Sequence, residues 1–410
     1  MADGYNPGDI IIDTFSLSSQ RGSLNLASSF ISASIFESIF TPGIIGDISV
    51  LDTDDQLGKL KITGDETVEI SFKAPGGESA NYKFALHALE DVKSEGTQKA
   101  KTYTLKVVSE EALHSKTNYV QKNFNSPISD MVKDIHKNYM KSEKPLEVED
   151  TKGKQKIIIG HQNPYKATDI IRRRGISNEN KSSAYVFFET RNGGNQTFKF
   201  TTIEKLFGEE AIKDFQQSDA INSSIMNQTD NNIIAYEVPK QFSSTERISI
   251  GGKTRVSTFD IRTHTYKTKD VDTDSTQFKM GGKGDYDSSE FKSKYQQPKI
   301  PTQAMMPVDT SQRPVTNIPE QTADQQAFLA SLMQNAMKIR VYGDAKLAAG
   351  YTVNAAIPNK VSTTDNGQTD PMLSGKFLIS RIHHQIGTAG ERPRYTCVIE
   401  LLKGNLEEGV

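Results

Sequence analysis

Apolar residues in this chain recur mostly with a period of two, the spacing of a half-buried strand. Over residues 10–118 the runs "GIIGDISVLD", "KLKITGDETVEISFKAPG", "NYKFALHALEDV" and "KTYTLKVVSEEAL" are short. Asp/Gly turns or the polar loop "KSEGTQKA" separate them. Several short strands at that spacing predict a small barrel or sandwich over residues 1–118. After residue 119 the period changes. Ser126 and Pro127 read as an N-cap and a first helical residue, and Ile128, Met131, Val132, Ile135 and Tyr139 then share one helical face. A second helix is marked at both ends, by Asn163 and Pro164 before it and Gly175 after it. "SAYVFFET" and "TFKFTTIEKLFG" follow as strands joined by the turn "RNGGNQ". Residues 119–231 are therefore predicted to be an α+β middle domain.

"NNIIAYEVP" and "TRVSTFDIRTHTYKTKD" return to strands over 232–270. Residues 271–321 are dominated by Ser, Thr, Gln, Asp, Lys, Gly and Pro, which predicts a mostly irregular excursion that a partner would order. "DQQAFLASLMQNAM" reads as a helix with Phe328, Leu329, Leu332, Met333 and Ala336 on one stripe, completing an insertion over 271–336. Strands resume in "KIRVYGDAKLAAGYTVNAAIP" and finish, within 337–410, in a hairpin before a C-terminal tail.

That last hairpin, "FLISRIHHQIGTAGERPRYTCVIELLKG", carries two adjacent histidines and the only cysteine of the chain. Neighbours on a strand point to opposite faces, so His383 and His384 do not both reach one metal without a bulge. Cys397 shares its parity with Ile399 and Leu401, which predicts a small buried core residue. All three are expected to be structural.

The 410 residues exceed one ordinary core and predict several domains. With 49 basic and 51 acidic side chains the net charge is -2, so there is no basic field to hold nucleic acid or an anionic membrane. A single cysteine excludes an internal disulfide and a cysteine-based zinc site, and fits a reducing compartment. The N-terminal "MADGYNPGDIIIDTFSL" lacks the pattern of a signal peptide, and no apolar run approaches the roughly 18 residues of a membrane span. A soluble product folded in the cytoplasm is expected.

Motif tests for chemistry fail. Asp270, Asp272 and Asp274 start like a calcium loop, but Ser275 and Gly281 stand where Gly and Glu are required. Asp52, Asp54 and Asp55 suit a turn. "GGKGD" at 281 lacks phosphate-loop spacing, and neither His-Glu-x-x-His nor Gly-x-Ser-x-Gly occurs. Arg172, Arg173 and Arg174 fall in a last helical turn, where the helix dipole favours cations, and read as a solvated helix end before a phosphate site. No catalytic residue, cofactor or metal site is assigned.

The positive signal is repetition. "YKFALHALEDVKSEGTQKAKTYTLKVVS" aligns with "GKFLISRIHHQIGTAGERPRYTCVIELLKG", matching Phe84, Leu86 and Leu89 to Phe377, Ile379 and Ile382, and Tyr103, Thr104 and Leu105 to Tyr395, Thr396 and Cys397. Upstream, Gly64 and Val68 correspond to Gly350 and Val353. The predicted fold is β-rich α+β: two related small β-barrels flanking an α+β middle domain, the whole forming rings. Two such barrels per chain would give a three-chain ring six related positions, a geometry that joins a sixfold tube to a threefold object.

With "GIIGDISVLDTDDQLGKLKITGDETVEISF", "NPYKATDIIRRRGISNENKSSAYVFFET", "KIRVYGDAKLAAGYTV" and "GKFLISRIHH" in this order, the chain resembles the central baseplate hub proteins of T-even-like contractile-tailed phages, a design shared with type VI secretion spike proteins. The long polar insert at 271–321 departs from that pattern. The resemblance implies a homotrimeric, non-enzymatic baseplate hub in the virion. Its implied partners are the central spike protein, the tail tube or tube-initiator protein, other baseplate proteins, and a tape-measure protein or DNA passing through the lumen without specific binding; no membrane is implied. An envelope-degrading hydrolase of the tail tip and a receptor-binding adhesin module stay open as alternatives.

Overall fold

The computed structural model describes residues 7–75, 77–94, 100–179, 182–217, 230–240, 253–260, 264–272, 300–306, 336–359, 369–370, 373–389 and 392–403. The first unit contains β1 (Ile11–Ser19), β2 (Gly22–Asn25), β3 (Phe30–Ser38), β4 (Ile45–Asp52), the short helix α1 (Gln56–Leu60), β5 (Thr67–Lys73), β6 (Ser79–Ser94) and β7 (Lys101–Val108). Buried positions alternate with more open ones along β3, β4, β5 and β7, as the period of two predicts. The expected Asp turn before α1 is there: the Asp52 carboxylate accepts from Asp54 N and Gln56 N at 3.1 and 2.9 Å. Strand β7 ends at Val108, and "EEAL" turns into helix α2 (Glu110–Thr117).

The middle domain follows with β8 (Val120–Ser126), α3 (Ile128–Asp134), β9 (Leu146–Val148), β10 (Gln155–Gln162), α4 (Pro164–Arg172), β11 (Tyr185–Asn192), β12 (Asn195–Thr202), α5 (Ile203–Gly208) and β13 (Ala211–Gln216). Pro127 occupies the cap and α3 begins one residue later than the sequence predicts, then loosens into a π-helical turn over Ile135–Tyr139. The Asn163 side chain caps α4 by accepting from Lys166 N at 2.8 Å, as its position predicts. The run "IEKLFG", expected to continue a strand, is helical because Thr202 caps it and Ile203, Leu206 and Phe207 bury one face. Val120, Ile128, Met131, Val132, Ile171, Phe187, Phe198 and Phe200 belong to a second core, separate from that of the barrel-like units. Strand β11 is buried on both sides: Tyr185 and Phe187 join this core while Val186 and Phe188 join the first. Its hairpin with β12 turns on Gly193 and Gly194, at φ +56° and +81°, the left-handed pair that a two-residue turn of this type requires.

The chain then runs through β14 (Ile233–Lys240), β15 (Lys253–Asp260), β16 (Thr265–Asp272), β17 (Ile300–Met306), β18 (Ala336–Tyr342), β19 (Thr352–Ala356), β20 (Gly375–Ala389) and β21 (Arg392–Leu402). Three expectations change here. Strands β15 and β16, placed by sequence in the second barrel, pair with β17 in a separate three-stranded sheet. Residues 300–306, within the predicted irregular excursion, form β17, parallel to β15. Ala336, assigned to a helical stripe, begins β18; the rest of that stripe and most of 271–321 lie outside the described residues.

Two five-stranded units emerge, in the orders β5-β6-β7-β4-β3 and β19-β20-β21-β18-β14. They correspond strand for strand. Val68 faces Phe84 in one and Val353 faces Phe377 in the other. A bulge follows at Leu86/Ala88 and at Ile379/Arg381. Leu86 N donates to Glu66 O at 2.9 Å, and Ile379 N donates to Tyr351 O at 2.8 Å. A further bulge breaks β3 at Phe30/Ser32 and β14 at Ile233/Ala235. The Phe84–Phe377 correspondence therefore holds. Tyr103 faces Val50 as Cys397 faces Val341, so Tyr395 sits two residues out of register with Tyr103, though both are buried. The slip keeps the face because side chains alternate with a period of two.

The units are not two isolated barrels. The far half of β20 pairs along β3 from Arg381↔Ser38 to Gly387↔Ser32, fusing both into one thirteen-stranded sheet over one core. Among the described residues the strand pairing does not close into a ring. If the units are equivalent, Phe84→Ala and Phe377→Ala should each lower stability by about 3–5 kcal/mol. Urea unfolding in which one substitution costs less than about 1 kcal/mol would separate the two positions.

Candidate functional site

A buried polar cluster lies on the seam between the units, drawn from strands of both units and of the middle domain and from the 344–349 loop. Glu37 of β3 takes the inward parity of Ala33, Ile35 and Ile39. Its Oε1 accepts from Tyr82 OH of β6 at 2.8 Å and from Arg191 Nε of β11 at 3.1 Å, with His384 Nε2 at 3.3 Å. Its Oε2 accepts from Ala349 N at 3.1 Å. Arg191 also donates to Ala345 O at 2.7 Å and Leu347 O at 2.6 Å, and its guanidinium lies 4.9 Å from the Tyr82 ring centre. His384 Nδ1 stands 2.7 Å from Tyr395 OH and 3.4 Å from Cys397 Sγ. Both units, the middle-domain hairpin and the 344–349 loop thus converge on one carboxylate.

Burial by itself would raise the Glu37 pKa. The Arg191 charge and the bonds from His384 and Tyr82 outweigh it and hold the group at about 2. Burial lowers His384 despite Glu37 beside it, so the imidazole is neutral at pH 7. The Cys397 thiol is pushed up to about 12, again by burial. A cysteine beside a histidine has the composition of a nucleophilic pair, but a thiol at that pKa with 0% exposure supplies no thiolate near neutral pH. The cluster is a sealed joint, satisfied internally.

A second buried set ties the first unit to the middle domain. Lys144 Nζ lies 2.8 Å from Glu111 Oε2 and 2.6 Å from Glu189 Oε1. Glu189 further accepts from Ser109 Oγ, from Ile44 N at 3.2 Å and from Gln196 Nε2 at 2.9 Å. Burial holds Glu189 above the usual carboxylate range, and Lys144 brings Glu111 below it against burial.

The residues singled out in the sequence separate cleanly. His383 and His384 do face opposite ways: His384 is buried in the seam, while His383 stacks on Phe36 with ring centres 4.1 Å apart. Cys397 is buried at the predicted parity. Among the described residues no group of three or more His, Cys, Asp or Glu is arranged to hold a metal ion. Arg172 and Arg173 both pair with Asp169, and Arg172 also donates to Tyr185 O at 2.8 Å, so these two side chains secure the end of α4. Asp270 pairs with Arg255 at 2.8 Å; Asp274 and the 281–285 run lie outside the described residues. Sequence reasoning missed Glu37, Arg191, Glu111, Lys144 and Glu189. For Glu37 a signal existed: a charge at the buried parity of an alternating strand demands a partner.

No protein-family model and no curated protein matches the sequence. Solved structures do. A tail protein from Neisseria meningitidis MC58 superposes with a TM-score of 0.59 at 10% identity, covering 95% of this chain and 96% of that one. The 43 kDa tail protein of prophage MuSo2 from Shewanella oneidensis gives 0.52 at 13% identity, covering 96% and 98%. A component of the E. coli type VI secretion system gives 0.47 at 8% identity over 98% of this chain and 78% of that chain. The chain has the fold of phage tail proteins. In this tail-protein fold the seam is a joint between repeats, and its energetics are testable. Arg191→Met leaves the Glu37 carboxylate buried without its cation and should cost about 3–5 kcal/mol in urea unfolding at pH 7. Glu37→Gln combined with Arg191→Met should cost less than the two single changes added; strict additivity would mean they do not act as a pair.

The pH dependence has a defined sign. Both depressed groups bind protons more weakly folded than unfolded, so stability falls with pH. The loss begins below about 6.5 through His384 and continues from about 4.5 towards 2 through Glu37. Glu37→Gln should remove the lower limb of that loss. An unchanged acid profile in this variant would contradict the assignment. The Cys397 thiol should resist a disulfide reagent at pH 8 in the native protein and react fully in urea; reaction within minutes without urea would place it on an open surface.

Proposed function

We propose that this protein is a structural component of a phage-type tail, the central hub of a contractile-tail baseplate. Three copies form a ring of six related units. The observation that carries this reading is the strand-by-strand duplication, with matching bulges at Leu86/Ala88 and Ile379/Arg381 and at Phe30/Ser32 and Ile233/Ala235. A single chain gains nothing in stability from keeping these two bulges at equivalent places in both units; the irregularities at Glu90/Lys93 and Glu237/Lys240 are not shared. A sixfold partner that meets both units explains the constraint. The tail-protein fold supports the same reading.

On this proposal one face of the ring meets the sixfold tail tube or its initiator and the other carries a threefold spike, with further baseplate proteins around it. The lumen passes DNA or holds the end of a tape-measure protein. A net charge of -2 suits a channel through which DNA slides without being held. The role is mechanical and not enzymatic, and the protein works in the virion after assembly in the host cytoplasm. Native mass spectrometry at micromolar concentration should give a trimer. A monomer only, or peptidoglycan cleavage by the purified protein, would replace the hub with the hydrolase reading.

A further inference from the structure

The seam between the units has a counterpart that one chain leaves open. In the second unit the half of β20 beyond its bulge, Arg381–Gly387, lies along β3. In the first unit the same half of β6, Ala88–Ser94, pairs with β7 on one edge and, among the described residues, with no strand on the other. Strand β14, the counterpart of β3, likewise pairs with β18 and leaves its outer edge uncovered among the described residues. Side chains register the gap. Ile382 is 1% exposed in the seam, whereas its equivalent Leu89 is only partly buried. Val92 on β6 and Ile234 on β14 are 53% and 43% exposed.

We propose that these two edges are the subunit interface: β6 of one chain pairs antiparallel with β14 of the next, repeating between chains the β20–β3 seam within each. This rests on the ring reading and adds which edges meet and in what register. The register follows from the internal pairs. Glu90 faces Thr104 as His383 faces Val398, and Lys93 faces Thr102 as Gln385 faces Thr396. On the other edge, Glu237 faces Lys338 as Ser34 faces Asp47, and Lys240 faces Ala336 as Phe36 faces Ile45. Within the chain His383 pairs with Phe36 and Gln385 with Ser34. Carried over, Glu90 comes opposite Lys240 and Lys93 opposite Glu237. The Lys93–Glu237 pair joins opposite charges, which directly opposed cross-strand positions favour. Pro239 falls inside the β14 irregularity between Glu237 and Lys240, where a missing N–H removes no ladder bond. The contact is head-to-tail, so three chains close it into a ring of three internal and three intermolecular seams, with no unpaired edge left at these places.

The test is a cysteine pair, Lys93→Cys with Glu237→Cys, in the full chain, whose own Cys397 is buried. Oxidation should give a covalent ladder ending at trimer on a non-reducing gel, which neither single substitution gives. In parallel, Lys93→Glu should raise the protein concentration at which the ring half-dissociates by roughly threefold to tenfold per seam, and adding Glu237→Lys should restore it. A trimer by native mass spectrometry that neither cross-links nor responds to Lys93→Glu would overturn this interface and leave the ring standing. A disulfide formed within one chain would also overturn it. Wild-type protein that is monomeric throughout the micromolar range would remove the ring and the interface together.

Discussion

One buried carboxylate sets the conditions for the rest of this structure. Glu37 sits on the inward face of β3 at the point where β20 crosses from the other unit. An ionised carboxylate there is tolerable only if several donors meet it at once. Tyr82 comes from the first unit, His384 from the second, Arg191 from the middle domain and Ala349 N from a loop. Removing any of these elements leaves a charge or a donor unpaired in an apolar core. A two-residue slip of β20 along β3 would keep the apolar parity. The carboxylate and guanidinium together are satisfied in one register, and so they select a single docking of three chain segments far apart in sequence.

The middle domain is tied into that joint by the β11–β12 hairpin, which contributes to both cores from a single strand. Its tip reaches the first unit, where Asn81 N donates to Gly194 O at 2.8 Å and Lys83 N to Gln196 Oε1 at 2.7 Å. A side chain at position 194 would place its Cβ 2.2 Å from Ser79 O, so Gly194 is required both by its positive φ and by this approach. The Lys144 cluster adjoins that contact, because Gln196 Nε2 also donates to Glu189 Oε1 at 2.9 Å, and it extends the tie to Ser109 and Ile44 of the first unit.

The duplication is stronger in backbone register than in residue identity. Bulges and one loop hydrogen bond recur at matched positions, while inward residues diverge: Leu89 against Ile382, Asp91 near the place of His384. The divergence follows the seam. Where β20 is covered by β3, its inward residues are apolar or joined to Glu37; where β6 has no such neighbour among the described residues, charges occupy the same stretch.

Local periodicity and capping by themselves determined the β-rich character, helices α3 and α4 with the Asn163 cap, the Phe84–Phe377 correspondence, and the opposite orientations of His383 and His384. Those properties depend on local alternation and capping, which act between residues close in sequence. The period-two pattern misplaced "IEKLFG", the 300–306 strand and the Tyr103–Tyr395 match, because helix capping, a parallel partner more than forty residues away and a two-residue slip all leave the alternation intact. The pairing of β20 with β3, the fusion of two units over one core, and the meeting of Glu37 with Arg191 and His384 were decided only in three dimensions. The partners lie 154 and more residues apart, and nothing in a linear pattern states which buried charge will answer which.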